Sequence, residues 1–115
     1  MENSIRYQEG IGVITLAGRL DSLAAPLFDV WFDAEDTPEC KGYLFDMSDM
    51  TYITSAGLRS ILKISKRVGG RGGKLTFCGM NHSVQDLFKI SGFSAFLAHY
   101  ATLEQALSAL TEQDC

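Results

Sequence analysis

The stretch "ITSAGLRSIL" (residues 53–62) marks the end of one kind of secondary structure and the start of another. A β-branched run ends here, and the spacing of the residues that follow predicts a helix from Ser55 to about Val68. Ser55, or Thr54 before it, is the candidate N-cap. Gly57 weakens a helix by roughly 0.5–1 kcal/mol relative to alanine, so we expect it to permit close approach of another backbone segment. The predicted core-facing residues of this helix are Leu58, Ile61, Leu62, Ser65 and Val68.

Length and composition are those of one ordinary folded domain, which we expect to cover residues 1–115. Hydrophobic residues make up 46% of the chain and charged residues 21%, which excludes a disordered or fibrous class. The net charge of −4 argues against a nucleic-acid-binding protein, because such proteins usually carry a strong positive excess. Acids at Glu2 and Glu9 are atypical of a signal peptide, and no apolar run approaches the roughly 20 residues that span a bilayer. We therefore predict a cytoplasmic protein with no direct nucleic-acid contact and no membrane insertion.

The cysteines and histidines form no recognisable metal or redox motif. Cys40, Cys78 and Cys115 are far apart and odd in number, and no CxxC occurs. Neither His82 nor His99 stands at metal-ligand spacing from a cysteine. We therefore predict reduced thiols and no metal or cofactor. Because the histidines lie in no catalytic motif and no paired-carboxylate motif occurs, we also predict that the protein is not an enzyme.

The segment "RLDSLAAPLFDVWFDAED" (19–36) predicts a first helix with Asp21 or Ser22 as its N-cap. Phe28 and Phe32 fall on one flank of its apolar stripe, where they are either core or an exposed patch that marks a protein partner. Helical spacing places the core-facing stripe at Leu23, Leu27, Val30, Trp31 and Ala34.

The other segments predict a hairpin and then an alternation of strands and helices. The helices "HSVQDLFKISGF" (82–93) and "TLEQALSAL" (102–110) are ended by Gly92 and capped by Thr102, respectively. The first two strands meet at the turn Glu9-Gly10, whereas later strands need crossover connections, which predicts an α/β fold with a mixed sheet. The predicted strands are "SIRYQEG" (4–10), "IGVITLAG" (11–18), "YLFDMSD" (43–49), "KLTFCGM" (74–80) and "FLAHY" (96–100).

Charge is unevenly distributed along the sequence. Residues 21–49 hold eight acids and one base, Lys41, whereas residues 55–85 hold no acid and six of the ten bases. The face of the second helix that bears bases is either solvated, beside the acidic segment, or a dock for an acidic partner or an anionic membrane. The bases on that face are Arg59, Lys63, Lys66 and Arg67.

The glycine-rich "GGRGG" (69–73) is interpreted as a turn from a helix to a strand. A nucleotide-binding Walker loop follows a strand and needs Ser or Thr after its lysine, whereas here a helix pattern precedes and Leu75 follows Lys74. A small nucleotide-binding module or enzyme that uses Gly69–Gly73 is kept as an alternative.

Several segments together, in order and over nearly the whole chain, resemble the STAS domain, the family of bacterial anti-sigma factor antagonists. The resemblance implies an α/β fold with a mixed four- to five-stranded sheet and helices packed mainly on one face. The matching segments are "LAGRLDS" (16–22), "YLFDMSDMTYITSAGL" (43–58), "GGKLTFCGM" (72–80), "VQDLFKISGF" (84–93) and "TLEQALSAL" (102–110).

The resemblance also implies a mechanism. In the family, the serine at the position of Ser55 is phosphorylated by a partner kinase that doubles as an anti-sigma factor. The unphosphorylated antagonist binds that partner, which releases a sigma factor for transcription, and a phosphatase resets the cycle. The aspartate of the G-x-L-D motif, here Asp21, lies near the serine by resemblance. Phosphorylated antagonists often have aspartate before the serine, whereas this sequence has Thr54, which is a second candidate acceptor.

We therefore predict phosphorylation at Ser55, with Thr54 as the alternative, and a partner-binding edge around that site. The expected partners are an anti-sigma factor with serine-kinase activity and a phosphatase, and the oligomeric state is left open. STAS proteins that are never phosphorylated provide the alternative function, an accessory subunit of an ABC-type lipid transporter or of another signalling complex. The predicted edge comprises Asp21, Ser22, Thr54, Ser55, Ala56 and Gly57, with Arg59 and Lys63 assisting.

Overall fold

The computed structural model describes residues 1–37, 39–40, 42–92 and 98–112, with five strands and four helices in this part of the chain. Their order is the one that the sequence predicts. The elements are β1 (Glu2–Gln8), β2 (Ile11–Leu20), α1 (Ala24–Glu35), β3 (Gly42–Ile53), α2 (Ser55–Gly70), β4 (Lys74–Cys78), α3 (His82–Ile90), β5 (Ala98–Tyr100) and α4 (Leu103–Glu112).

The strands form one mixed sheet in the order β1-β2-β3-β4-β5. β1 pairs antiparallel with β2, and each later neighbour pairs in parallel. Glu9 and Gly10 both have positive φ, 56° and 80°, which is the geometry of a two-residue hairpin turn. The predicted hairpin and mixed sheet are therefore confirmed, while the predicted start of the last strand, residues 96–97, lies outside the described residues.

Helices cover the two faces of the sheet unequally. Alternate residues of β2 point to opposite faces, so Ile14 packs beneath α1, α2 and α3 while Val13 packs beneath α4. Phe45 and Phe77 extend the larger core under the three helices, where their rings stack at 5.4 Å between centroids. The expectation of helices mainly on one face is confirmed.

The prediction of which side of the first helix faces the core is wrong. Leu23, Leu27 and Val30 are 82%, 73% and 69% exposed, Ala34 is exposed and Trp31 is only partly buried. The error has a physical cause, because α1 carries apolar residues on two faces and helical period cannot choose between them.

The residues that α1 buries are Ala25, Phe28 and Phe32. The Phe28 ring meets Phe45 edge to face at 6.2 Å, and the Phe32 ring meets Tyr43 in the same way at 5.2 Å. The question left open for these two phenylalanines is therefore settled in favour of the core. Aromatic side chains suit this position because they fill the space between α1 and the central strand with large buried area.

The predicted core face of α2 is largely confirmed. Leu58, Ile61 and Val68 are buried, and Ile64 joins them. The predicted members Leu62 and Ser65 are half-buried at the margin of this face.

Ion pairs join the acidic α1 to the basic face of α2. Lys63 Nζ lies 2.9 Å from Asp29 Oδ2, and Arg67 Nη2 lies 2.7 Å from Asp33 Oδ1. These pairs support the interpretation in which the acidic segment lies beside the basic face.

At the end of α2, the glycine-rich turn is held by Arg71. Arg71 Nη2 lies 2.6 Å from Asp36 Oδ1, and the same carboxylate accepts a 2.6 Å hydrogen bond from the Tyr43 hydroxyl. The backbone N–H groups of residues 71–73 donate to the carbonyls of Val68 and Gly69, so they close the helix. A phosphate cradle needs such N–H groups to be free, and the geometry therefore favours a turn over a nucleotide loop.

Cys40 and Cys78 are buried and reduced, as predicted, and Cys115 lies outside the described residues. Burial raises the pKa of the Cys78 thiol to about 12, so this thiol stays protonated at neutral pH.

Candidate functional site

Thr54 and Ser55 occupy the corner where β3 ends and α2 begins. Thr54 has extended backbone geometry, and its Oγ1 accepts a long, 3.4 Å hydrogen bond from the Gly57 N–H. Thr54 is therefore the N-cap and Ser55 is the first helical residue. Ser55 is exposed, and within the described part of the chain its hydroxyl makes no hydrogen bond.

Gly57 packs the first turn of α2 directly against the end of β2. A Cβ at this position would overlap the Leu20 carbonyl oxygen and lie 2.7 Å from Leu20 Cγ and 3.0 Å from Ile53 Cγ1. The Thr54 N–H also donates to the Leu20 carbonyl at 3.0 Å. The expected close approach at Gly57 is confirmed, and Leu20 is the residue that approaches.

Asp21, directly after Leu20, belongs to the same corner. Its Oδ1 accepts hydrogen bonds from the N–H groups of Leu23 at 3.1 Å and Ala24 at 3.0 Å. The Ala24 N–H, and then the Leu23 N–H, hold the pKa of the Asp21 carboxyl below its ordinary value, although partial desolvation opposes them. The N-cap position of α1 is Leu23, which has no side-chain cap, so neither predicted candidate occupies it. Of the two, Asp21 and not Ser22 binds the backbone at the start of the helix, and it does so as a carboxylate.

The structure brings part of the predicted edge together. The Leu20 carbonyl joins the turn that bears Asp21 to the corner that bears Thr54 and Ser55. Ser22 is exposed on the same turn, whereas Ala56 is half-buried against the core. Gly57 is buried, so its contribution to this edge is packing rather than direct contact.

The two bases that were predicted to assist partner binding, Arg59 and Lys63, differ in their contacts. Arg59 is exposed one turn after Ser55. Lys63 lies eight residues after Ser55, about 12 Å along a helix that rises about 1.5 Å per residue, and it pairs with Asp29 on α1. Lys63 is thus engaged within the chain.

Sequence reasoning misses a groove next to this corner, with a volume of about 350 Å³. Asp21 lies in it, together with Leu23 directly before α1 and Leu27 of α1, two leucines that the sequence assigns to the core. The second apolar face of α1 is the signal that could have revealed it. Its lining residues are Met1, Asn3, Arg19, Asp21, Leu23, Ala24, Leu27 and Phe28.

Arg19 connects this groove to β3. Its guanidinium stands over the Tyr52 ring, 5.2 Å from the centroid, and its Nε lies 3.9 Å from Asp21 Oδ2. Tyr52 is 46% exposed. Exposed aromatic and arginine side chains of this kind are enriched at protein interfaces.

The chemistry of this corner is that of an exposed hydroxyl at the start of a helix. Among the described residues, no three His, Cys, Asp or Glu side chains are grouped so that they could hold a metal ion. None of the helices in the described ranges is long and apolar enough to cross a membrane.

The first N–H groups of a helix such as α2 have no partner within the helix and favour negative charge nearby. The start of α2 therefore favours a negatively charged group at the position of Ser55.

Comparison of the sequence with known proteins identifies a family and named relatives. The family model described as STAS domain matches residues 4–106. BtrV of Bordetella bronchiseptica, a protein assigned as an anti-sigma factor antagonist, is 28% identical over 101 residues, which cover 88% of this chain and 87% of BtrV. The anti-sigma F factor antagonist of Paenibacillus polymyxa is 24% identical over 113 residues, which cover 97% of this chain and 94% of that protein.

Solved structures share the fold. A Thermotoga maritima protein assigned as an anti-sigma factor antagonist superposes with a TM-score of 0.89 at 19% identity and covers 95% of this chain and 94% of its own. The anti-sigma factor antagonist SpoIIAA in its unphosphorylated form has a TM-score of 0.81 at 16% identity, with 96% and 97% covered. SpoIIAA from Bacillus in its phosphorylated form has a TM-score of 0.73 at 16% identity, with 94% and 98% covered. By its sequence match and its fold, the chain belongs to the STAS domain family.

Proposed function

We propose that this chain is an anti-sigma factor antagonist that binds its anti-sigma factor when unphosphorylated and is released when Ser55 is phosphorylated. Relatives named as anti-sigma factor antagonists support the class of function. The observation that carries the proposal is the exposed, unengaged hydroxyl of Ser55 at the first position of α2, beside the Asp21 turn.

Ser55 is a better acceptor than Thr54 in this geometry. Thr54 is half-buried, and its Oγ1 accepts from the Gly57 N–H and donates to the Leu20 carbonyl at 3.5 Å. Transfer of a phosphoryl group to Thr54 would remove the cap of α2 and require the corner to open. Ser55 needs no such rearrangement, because its hydroxyl faces solvent.

The physical effect of the phosphate falls on docking rather than on folding. Phosphorylation adds about −1.5 to −2 charges, and at a helix N-terminus a negative charge stabilises the fold by about 0.3–1 kcal/mol. The first turn of α2 holds no acid that would oppose it. At a protein interface, however, juxtaposed like charges cost several kcal/mol, and each ~1.4 kcal/mol lowers affinity tenfold. An acidic surface on the partner would therefore reject the phosphorylated form.

In this function the chain is a substrate and a switch, not an enzyme. The anti-sigma factor would supply the kinase activity and the nucleotide, and a separate phosphatase would restore the Ser55 hydroxyl. The glycine-rich turn has no part in this cycle, because Arg71 is bound to Asp36 and the turn's N–H groups close α2.

The test combines phosphosite mapping with binding. The protein is purified from its own host, its intact mass and phosphosite are determined, and its affinity for each anti-sigma factor of that host is measured by calorimetry. We expect one phosphate at Ser55 that Ser55→Ala abolishes, and at least a roughly tenfold loss of affinity in Ser55→Asp.

The matched control is Ser83→Asp, which adds the same charge in the first turn of α3, at another exposed serine. It should bind like the wild type. Absence of phosphate under every growth condition, with no anti-sigma factor bound, would overturn the proposal and favour a constitutive subunit such as the transporter accessory protein.

A further inference from the structure

The outward side of α1, together with Leu23 directly before it, carries apolar side chains that are exposed to solvent. Leu23, Leu27 and Val30 are 82%, 73% and 69% exposed and follow one another at spacings of four and three residues, so they lie along one stripe. Three of the seven large exposed hydrophobic residues in the described part of the chain belong to it. Clustered exposed apolar residues mark interaction sites, whereas single ones need no explanation.

The fold does not need this stripe. The opposite face of α1 already supplies the core through Phe28 and Phe32, which are each 1% exposed. Polar residues at the three exposed positions would leave those contacts intact. The stripe is therefore explained by something that covers it from outside.

The stripe is continuous with the proposed docking corner. The 350 Å³ groove contains Leu23 and Leu27 together with Asp21, and the Asp21 carboxylate is bonded to the Leu23 N–H at 3.1 Å. A protein that contacts the Asp21 carboxylate therefore also meets the beginning of this stripe. The Arg19–Asp21 pair at one end and the Lys63–Asp29 pair along one side form a polar rim, which is the arrangement of protein–protein interfaces.

Charge argues against a membrane as the occupant. α1 contains acids but no lysine or arginine, whereas helices that lie on anionic membranes carry bases on their polar face.

We propose that Leu23, Leu27 and Val30 form the apolar centre of the surface that binds the anti-sigma factor. This inference rests on the proposed function and deepens it, because it divides the surface into two parts. The stripe supplies most of the affinity by burying apolar area, and Ser55 at its polar end supplies the switch. The anti-sigma factor must then present an apolar patch beside the groups that contact Ser55.

The test uses the full chain with Leu27→Gln and Val30→Gln combined, since glutamine keeps a helix and both positions are exposed. The probe is the host anti-sigma factor that binds the wild type. We expect an unchanged Tm and a loss of affinity of at least about tenfold, because a few central apolar side chains dominate binding. The loss should persist in high salt. If the same factor phosphorylates Ser55, KM should rise while kcat stays the same, which is the signature of lost substrate binding.

The matched control is Ile90→Gln, which removes an apolar side chain of similar exposure, 83%, from the end of α3. It should bind like the wild type. If the wild type binds and the double variant binds equally well, the inference is wrong and the proposed function stands. If no anti-sigma factor binds the wild type, both the inference and the proposed function are wrong.

Two further results would overturn the inference alone. One is a wild-type dimer in sedimentation analysis that the double variant abolishes, with unchanged affinity for the anti-sigma factor. The other is binding of the wild type, but not of the double variant, to vesicles of phosphatidylcholine and phosphatidylglycerol, again with unchanged affinity for the anti-sigma factor.

Discussion

The two helices that flank the proposed docking corner, α1 and α2, lie side by side on the same face of the sheet but divide their surfaces differently. α2 has one apolar face, which packs on the sheet through Leu58, Ile61 and Ile64, and a basic face that meets α1. α1 has two apolar faces, of which only the one with Phe28 and Phe32 is buried. Exposed apolar surface in excess of what the core requires, as on α1, is typical of interaction sites.

The first way to test this comparison uses two adjacent residues of α1. Phe28→Ala should lower the free energy of unfolding by about 3–5 kcal/mol, because it leaves a cavity among Phe45 and Trp31. Leu27→Ala should change it by less than about 0.5 kcal/mol, because Leu27 is 73% exposed. Urea denaturation measures both values. Similar losses in the two variants would contradict the assignment of faces.

The same two helices show what a sequence can and cannot specify. The boundaries of α2 were predictable because Thr54 and Ser55 follow a strand and the apolar residues keep to one face. The buried face of α1 was not, because Leu27 and Phe28 are both apolar and period alone cannot tell which faces the sheet. The choice depends on the space above Phe45, which is a property of the assembled core.

The second prediction concerns the contact that fixes α2 to β2. Gly57→Ala should destabilise the fold by about 1–3 kcal/mol, because the new Cβ overlaps the Leu20 carbonyl and the helix has to shift. Gly69→Ala is the control on the same helix, where a Cβ meets nothing within 4 Å. That substitution should stabilise the fold by roughly 0.5–1 kcal/mol. Thermal and urea unfolding of the pair would refute the close approach if both alanines stabilised.

The third prediction concerns Asp36, which joins the end of α1 to Arg71. The hydrogen bonds from Arg71, and also the one from the Tyr43 hydroxyl, hold the pKa of the Asp36 carboxyl below its ordinary value of 3.8, although desolvation opposes them. The stability that the ionised Asp36 carboxylate contributes is therefore complete above about pH 4. It is lost as the pH falls through the pKa that Asp36 has in the folded protein. Asp36→Asn should cost on the order of 1.5 kcal/mol at pH 7, and its difference from the wild type should shrink below pH 4.

Asp33→Asn is the matched control for Asp36. The Asp33 side chain is 58% exposed and pairs with Arg67, so its loss should cost less than about 1 kcal/mol. Urea denaturation at pH 7 and pH 3 separates the two sites. If the difference in the free energy of unfolding between wild type and Asp36→Asn stayed constant with pH, the charge of Asp36 would not be what stabilises the turn.

The candidate site, like the fold, was predictable from the sequence only in part. The positions of Ser55 and Asp21 follow from local capping patterns and from the family resemblance, and both lie at one corner. The engagement of Lys63 with Asp29 was not predictable in detail, because the two residues are 34 positions apart and meet only when α1 lies beside α2. The exposure of Leu23 and Leu27 depends on the same packing.

The starts of the two helices give the final comparison. α1 begins beside a permanent carboxylate, because Asp21 accepts from the N–H groups of Leu23 and Ala24. α2 begins with the uncharged cap Thr54 and has no acid in its first turn. Its N-terminus therefore still has capacity to stabilise an anion, and Ser55 stands at that position.

The smallest expected effect on folding follows from this difference. Ser55→Asp should raise the free energy of unfolding by about 0.3–1 kcal/mol at low ionic strength, and added salt should reduce the gain, since the helix dipole acts on an exposed charge. Ser55→Asn has the same size without the charge and should show no such salt dependence. Urea denaturation at two salt concentrations provides the measurement. A Ser55→Asp variant that is destabilised would mean that the charge opens the corner itself. The expected loss of anti-sigma factor binding would then reflect unfolding of the proposed docking surface rather than repulsion at an intact one.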